Sequence, residues 1–131
     1  MKNYKLQHPE KYISENDVIT FDNDNHLKMG YYSDTNDKVV FWSYKNSGDL
    51  IDEMSYIVDD ETYSYVPDFI LLLENEGERV VEMIDFETKN IMKGECSTPE
   101  EEEQYLLFQE RSKLGVSFCR ENGWYYRVVP Q

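Results

Sequence analysis

Tyr65-Val-Pro-Asp-Phe69 leads into the apolar stretch Ile70-Leu-Leu-Leu73, and after the acidic turn Asn75-Glu-Gly77 the chain resumes as Arg79-Val-Val-Glu-Met-Ile-Asp-Phe-Glu-Thr-Lys89. Two runs rich in branched and apolar side chains, separated by a glycine-containing turn, predict paired strands, Tyr63 to Leu73 and Arg79 to Phe86. Pro67 cannot donate to a ladder, so it predicts a bulge or an unpaired edge position inside the first run. Both runs carry carboxylates, and their placement makes this the stretch on which the reading turns.

Working outward, Val39-Val-Phe-Trp-Ser-Tyr44 predicts an earlier strand, Asn46-Ser-Gly-Asp49 a turn, Leu50 to Val58 a second strand and Asp59-Asp-Glu-Thr62 a hairpin turn. Short turns between consecutive strands predict an antiparallel meander. The period then changes. Ser97 or Thr98 is a capping residue, Pro99 suits a first helical turn, and Glu100 to Glu103 suit the positive end of a helix. Leu107, Leu114 and Phe118 share a face, Gly115 predicts close approach to a strand, and Asn122-Gly123 predicts the helix stop. Trp124 to Val129 predicts a final strand. The expected architecture is an α/β (α+β) sandwich: a mixed sheet with an antiparallel meander, flanked by a C-terminal helix and closed by a last strand. Residues 1–131 are expected to form one domain, with 1–38 an irregular N-terminal segment in which His26 to Tyr32 reads equally as helix or strand.

The chain has 131 residues and a formal net charge of −14, with no cluster of lysine and arginine. That balance argues against tight nonspecific duplex binding, which requires basic side chains to displace counterions. It permits metal-mediated contact, a basic protein partner, mimicry of nucleic acid, or simple solubility. Two cysteines, Cys96 and Cys119, are too few for a disulfide framework, and no Cys/His spacing suggests zinc. The longest apolar run is too short to span a bilayer, and the N-terminus lacks a secretory pattern. The expected setting is intracellular, or within a particle assembled inside a cell, not secreted and without a membrane partner.

The chemistry resides in the carboxylates. Asp68 and Glu82 are predicted to be cross-strand neighbours, and two carboxylates held together repel unless a cation lies between them. Mg²⁺ (or Mn²⁺) bound by Asp68 and Glu82 would activate water and stabilise charge on a phosphate oxygen. A lysine commonly completes such a site. Ile84 stands two residues after Glu82, whereas Glu87-Thr-Lys89 supplies a literal Glu-x-Lys. Glu82 and Glu87 differ by an odd number, so both serve one site only across a bulge. Asp68, Glu82, Glu87 and Lys89 are therefore the candidate catalytic residues. The alternative is that Asp68 ends the pairing at the proline and the others are solvated surface charge.

The order of these elements resembles the PD-(D/E)XK nuclease superfamily, closest to the head-completion nucleases of large tailed phages and the TnsA-like transposase endonucleases. Pro9-Glu-Lys-Tyr12, Val39-Val-Phe-Trp42, Tyr65-Val-Pro-Asp-Phe69, Val81-Glu-Met-Ile-Asp85 and Phe118 to Val129 are each similar to a family segment in the same order. The resemblance implies a restriction-endonuclease-like core, metal-dependent DNA cleavage, and DNA or phage and host proteins as partners. The chain departs from the family where chemistry is concentrated. The glutamate that the family supplies from a helix has no counterpart near Phe21-Asp-Asn-Asp-Asn-His26, and the strand lysine is replaced by Ile84, with Lys89 or Lys93 as substitutes from further along. The resemblance thus implies a head-completion or binding protein with impaired or lost cleavage. Two alternatives stand beside it: an active Mg²⁺-dependent endonuclease, and an acidic nucleic-acid-mimicking inhibitor of a host enzyme.

Overall fold

A proline has no N–H for a ladder and fixes its own φ. At the fully buried Pro67 that constraint divides the run from Tyr63 to Leu73 into two strands that belong to different sheets. The computed structural model describes residues 1–131, with elements in the order β1 (Lys2–Lys5), β2 (Val18–Phe21), α1 (Asp24–Thr35), β3 (Val39–Tyr44), β4 (Met54–Val58), β5 (Glu61–Tyr65), β6 (Phe69–Asn75), β7 (Glu78–Glu87), α2 (Lys89–Lys93), α3 (Pro99–Asn122) and β8 (Tyr125–Pro130). The central sheet has the order β3-β6-β7-β8. Its first three strands are antiparallel, and β8 returns parallel to β7 after the α3 crossover.

The expected mixed sheet, C-terminal helix and closing strand are therefore present, but the meander is interrupted. β4 and β5 form a separate hairpin inserted between β3 and β6. Its two turn residues, Asp59 and Asp60, both have positive φ, 50° and 64°, the geometry that matches the twist of a two-residue hairpin. The strand expected from Leu50 starts only at Met54. The preceding residues are held as a loop because the Asn46 side chain donates to Ile51 O (2.8 Å) and accepts from Ile51 N (3.1 Å).

Residues 1–38 are not irregular. β1 and β2 pair as an antiparallel ribbon, and the undecided His26 to Tyr32 stretch is helical, within α1. Asn23 caps this helix by accepting from His26 N at 2.9 Å. Helical periodicity was hidden because the buried face of α1 is His26, Gly30, Ser33 and Asp34 rather than an apolar stripe. Asp34, fully buried, accepts from Tyr4 Oη (2.6 Å), Gln7 N (2.7 Å) and His8 N (3.0 Å), which fastens the N-terminal ribbon to the helix. Lys11 Nζ donates to Asp34 O and Asn36 O, both at 2.9 Å, neutralising the carbonyl end of α1.

α3 follows its predicted chemistry. Thr98 Oγ1 accepts from Glu101 N at 3.1 Å, Pro99 opens the helix, and Gly123 (φ 71°) closes it. Gly115 lies against the ring of Tyr126 in β8, where a β-carbon would stand 2.5 Å from the ring. One apolar layer, built around Trp42, Phe21 and Phe69, lies on the β1–β2–α1 side of the sheet. The other, around Met83, Ile70 and Cys119, lies under α3. Burial pushes the Cys119 thiol up to about 11, so it is a neutral core group. No helix is long and apolar enough to cross a membrane.

A β-carbon on Gly30 would stand 2.1 Å from Phe21 Cζ, and Phe21 has no exposed surface into which to retreat. Gly30→Ala is expected to destabilise the fold by about 1–3 kcal/mol despite alanine's helix preference, read as a lower urea midpoint with unchanged slope.

Candidate functional site

The turn between β6 and β7 decides which carboxylates meet. Glu76 and Gly77 both have positive φ, 52° and 84°, so Asn75 pairs with Glu78 and the register runs back to Phe69 opposite Ile84. The next step sets Asp68 opposite Asp85, not opposite Glu82. Backbone and side chains interlock there: Phe86 N donates to Asp68 Oδ2 (2.8 Å) and Asp68 N donates to Asp85 Oδ1 (3.1 Å).

Glu82 pairs with Leu71, about 10 Å back along the strand and on the other sheet face from Asp85. Its carboxylate is taken by Arg127, at 2.7 Å and 3.1 Å. The expected convergence of Asp68 and Glu82 on a metal ion is thus corrected: the register separates them. Glu87 shares a face with Asp85 and reaches the same cleft as Asp68, where it accepts from Arg111 (3.2 Å). Lys89 does not follow on the strand. β7 ends at Glu87, and Lys89 opens α2 beside a separate depression next to Glu101 and Gln131.

The cleft that holds Asp68 has a volume of ≈ 460 Å³ and collects Asp22, His26, Lys45, Asp85 and Arg111 with it. Lys45 Nζ lies 2.7 Å from Asp68 Oδ1 and 3.5 Å from Asp22 Oδ2. His26 Nε2 is 3.9 Å from Asp68 Oδ2, and its Nδ1 is 2.7 Å from the Tyr44 hydroxyl. Asp85 Oδ2 accepts from Tyr65 Oη (2.5 Å) and Tyr126 Oη (2.7 Å).

Burial pushes the Asp85 carboxyl up, against the lowering effect of the two tyrosine hydrogen bonds. Burial and the adjacent Asp85 likewise push up the Tyr65 and Tyr126 phenols. Burial lowers the His26 imidazole, with Lys45 adding to the effect and Asp68 opposing it. For Lys45 burial acts downward, but the charge and hydrogen bond of Asp68 outweigh it and hold the ammonium protonated. Arg111 is held charged in the same way, by Asp85 and Glu87.

Asp85 was within reach of sequence reasoning, because counting equal steps back from the Asn75/Glu78 ends of the turn pairs it with Asp68. Lys45, His26, Asp22 and Arg111 carry no such signal; they come from the turn after β3, α1, the β2–α1 junction and α3.

No family model matches the chain, nor does any curated protein or solved structure.

A divalent cation would take carboxylate oxygens as its ligands. Here each oxygen of Asp68 and Asp85 already receives a donor from the chain, and no group of three or more His, Cys, Asp or Glu side chains is arranged to hold a metal. Asp68 and Asp85 are thus compensated by the chain's own donors in this arrangement.

His26 gives the cleft a pH dependence whose sign follows from its lowered value. On acidification the unfolded chain takes up the proton first, so this contribution is complete above the ordinary imidazole value, about 6.5, and is lost as pH falls through the lower folded value. Asp85 has the opposite sign: with a raised folded value, its contribution is present below the ordinary carboxylate range and lost as pH rises through the folded value. Between about pH 7.5 and about pH 5.5 the urea midpoint of the native chain is expected to drop relative to that of His26→Gln, in which this titration is absent, whatever opposite change Asp85 adds to both. Tyr65→Phe leaves Asp85 short of one donor and is expected to cost about 1.5–3 kcal/mol, measured by the same denaturation.

Proposed function

We propose that the chain is a nuclease-fold protein of the phage head-completion type whose Mg²⁺-dependent DNA cleavage is impaired or lost, retained for contact with a DNA end or with protein partners during virion assembly. The order α1, β3, β6, β7, α3, β8, with three antiparallel strands and a fourth parallel to the third, supports a restriction-endonuclease-like core. The facing of Asp68, at the start of β6, and Asp85, near the end of β7, supports the same reading. So do the segments Pro9 to Tyr12, Val39 to Trp42, Tyr65 to Phe69 and Phe118 to Val129, whereas the register sets the Val81 to Asp85 match aside by placing Glu82 away from Asp68.

The observation that carries the loss of cleavage is the closure of the two carboxylates by the chain's own donors. Lys45 Nζ sits on Asp68 at 2.7 Å, where a bound cation would otherwise offset the charge. The residue two beyond Asp85 is Glu87 rather than a lysine, and it is tied to Arg111. A carboxylate at that point adds negative charge where phosphoryl transfer gathers it, and losing one charge-stabilising group typically slows catalysis by about 10²–10³-fold. The net charge of −14 further disfavours extended contact with duplex DNA and favours a protein partner.

One observation favours the alternative of an active Mg²⁺- or Mn²⁺-dependent endonuclease: Lys45, in the turn after β3, brings an ammonium to Asp68 inside the cleft in place of the missing strand lysine. Supercoiled plasmid incubated with the chain and either metal separates the two readings. The expected result is no nicking above the level of Asp68→Ala. Cleavage that disappears in Asp68→Ala and in Lys45→Ala would overturn the proposal and establish the enzyme, with Lys89→Ala as the control that should leave it intact.

A further inference from the structure

We infer that the outer edge of β8, together with the apolar flank of α3 beside it, is an interface with a second copy of this chain. This inference is independent of the nuclease reading. β8 is the last strand of the central sheet and pairs only with β7. Gln131 N donates to Glu87 O at 2.8 Å, and strand alternation then directs the backbone N–H and C=O groups of Tyr126 and Val128 away from β7. The opposite edge is treated differently. There Tyr12 bridges to Trp42, and Ile13 N donates to Trp42 O at 3.2 Å, so the N-terminal segment covers β3. An open edge beside a covered one is a template for strand addition. Its only guard is Pro130 at the end of the strand.

α3 overhangs this edge. Tyr105, Phe108, Ser112 and Val116 follow helical spacing on one flank, and with Met92 and Val128 they line a groove of ≈ 710 Å³. Val116 is 42% exposed. The layer under α3 thus continues past the last strand, over the place of an added one.

The groove's own lining is compatible with a second copy. In a chain of net charge −14, no carboxylate lines this groove, and its one cation, Lys113, is engaged by Glu110 at 3.0 Å. The groove linings of two copies can therefore meet without opposed carboxylates, and Glu110 at the rim is partnered by Lys113. An edge whose free groups alternate N–H and C=O is self-complementary about a two-fold axis. Antiparallel pairing of β8 with β8 through Tyr126 and Val128 would run the sheet from one copy into the next, with the two α3 flanks packed together on one face. The charge on the rest of each copy opposes association, so salt should strengthen it.

Sedimentation equilibrium of the full chain, from micromolar to near-millimolar concentration at low and high salt, tests this. The expected species has twice the 15.7 kDa chain mass and is more populated at high salt. Val116→Glu, at an exposed helical position, should keep the monomer fold by circular dichroism and abolish the dimer. Leu106→Glu, equally exposed on α3 but outside the groove, should leave the dimer intact. A chain that stays at 15.7 kDa under every condition would overturn the proposal and leave the edge to a strand from a different protein. A dimer that survives Val116→Glu, or is lost equally in Leu106→Glu, would also overturn it.

Discussion

The two-residue turn at Glu76 and Gly77 sets the register of β6 on β7, and most of what the cleft can do follows from it. Strand side chains alternate faces, so a shift of one residue would exchange every side chain of β7 between the two layers. In the register observed, Ile84 and Phe86 enter the layer around Trp42 and Phe69, and Met83 enters the layer under α3. Asp85 is carried to the end of the buried strand, opposite Asp68, while Glu82 is left at the rim for Arg127. The identity of the second carboxylate in the cleft is therefore a consequence of core packing.

A carboxylate so placed must be compensated. Asp85 is nearly without exposed surface and relies on two tyrosine hydroxyls and a backbone N–H. Asp68 relies on Lys45 and the N–H of Phe86. These donors come from the turn after β3, from β5 and the residue before β6, and from β7 and β8, so the cleft is also a junction through which the inserted hairpin, the central sheet and its closing strand are bonded together. Lys45 further joins Asp68 to Asp22, which leads into α1. The polar groups at the mouth of this fold act as structural ties, and a buried ionic group that loses one partner leaves the other uncompensated.

Sequence pattern made some elements legible and concealed others for identifiable reasons. α3 could be read from its cap, its proline, its glutamates and its terminal glycine, because each acts within a turn of its own position. β3 and β7 could be read from runs of branched and aromatic residues. α1 was hidden because it buries His26, Gly30, Ser33 and Asp34, which are compensated by long-range hydrogen bonds and by a close fit to Phe21. The hairpin β4–β5 was merged into the meander because propensity marks a strand without naming the sheet it joins. α2, only five residues long, is too short to display an amphipathic repeat.

By itself the sequence determined the helix ends, the turn positions, the strand content and the presence of Asp68 beside a proline, since each depends on neighbours a few residues away. Tertiary structure alone decided that Asp68 meets Asp85, that Lys45 and His26 converge on it, and that Glu82 and Lys89 stand elsewhere. Those outcomes depend on strand register and on which layer covers which face, quantities set by the packing of residues far apart in the chain.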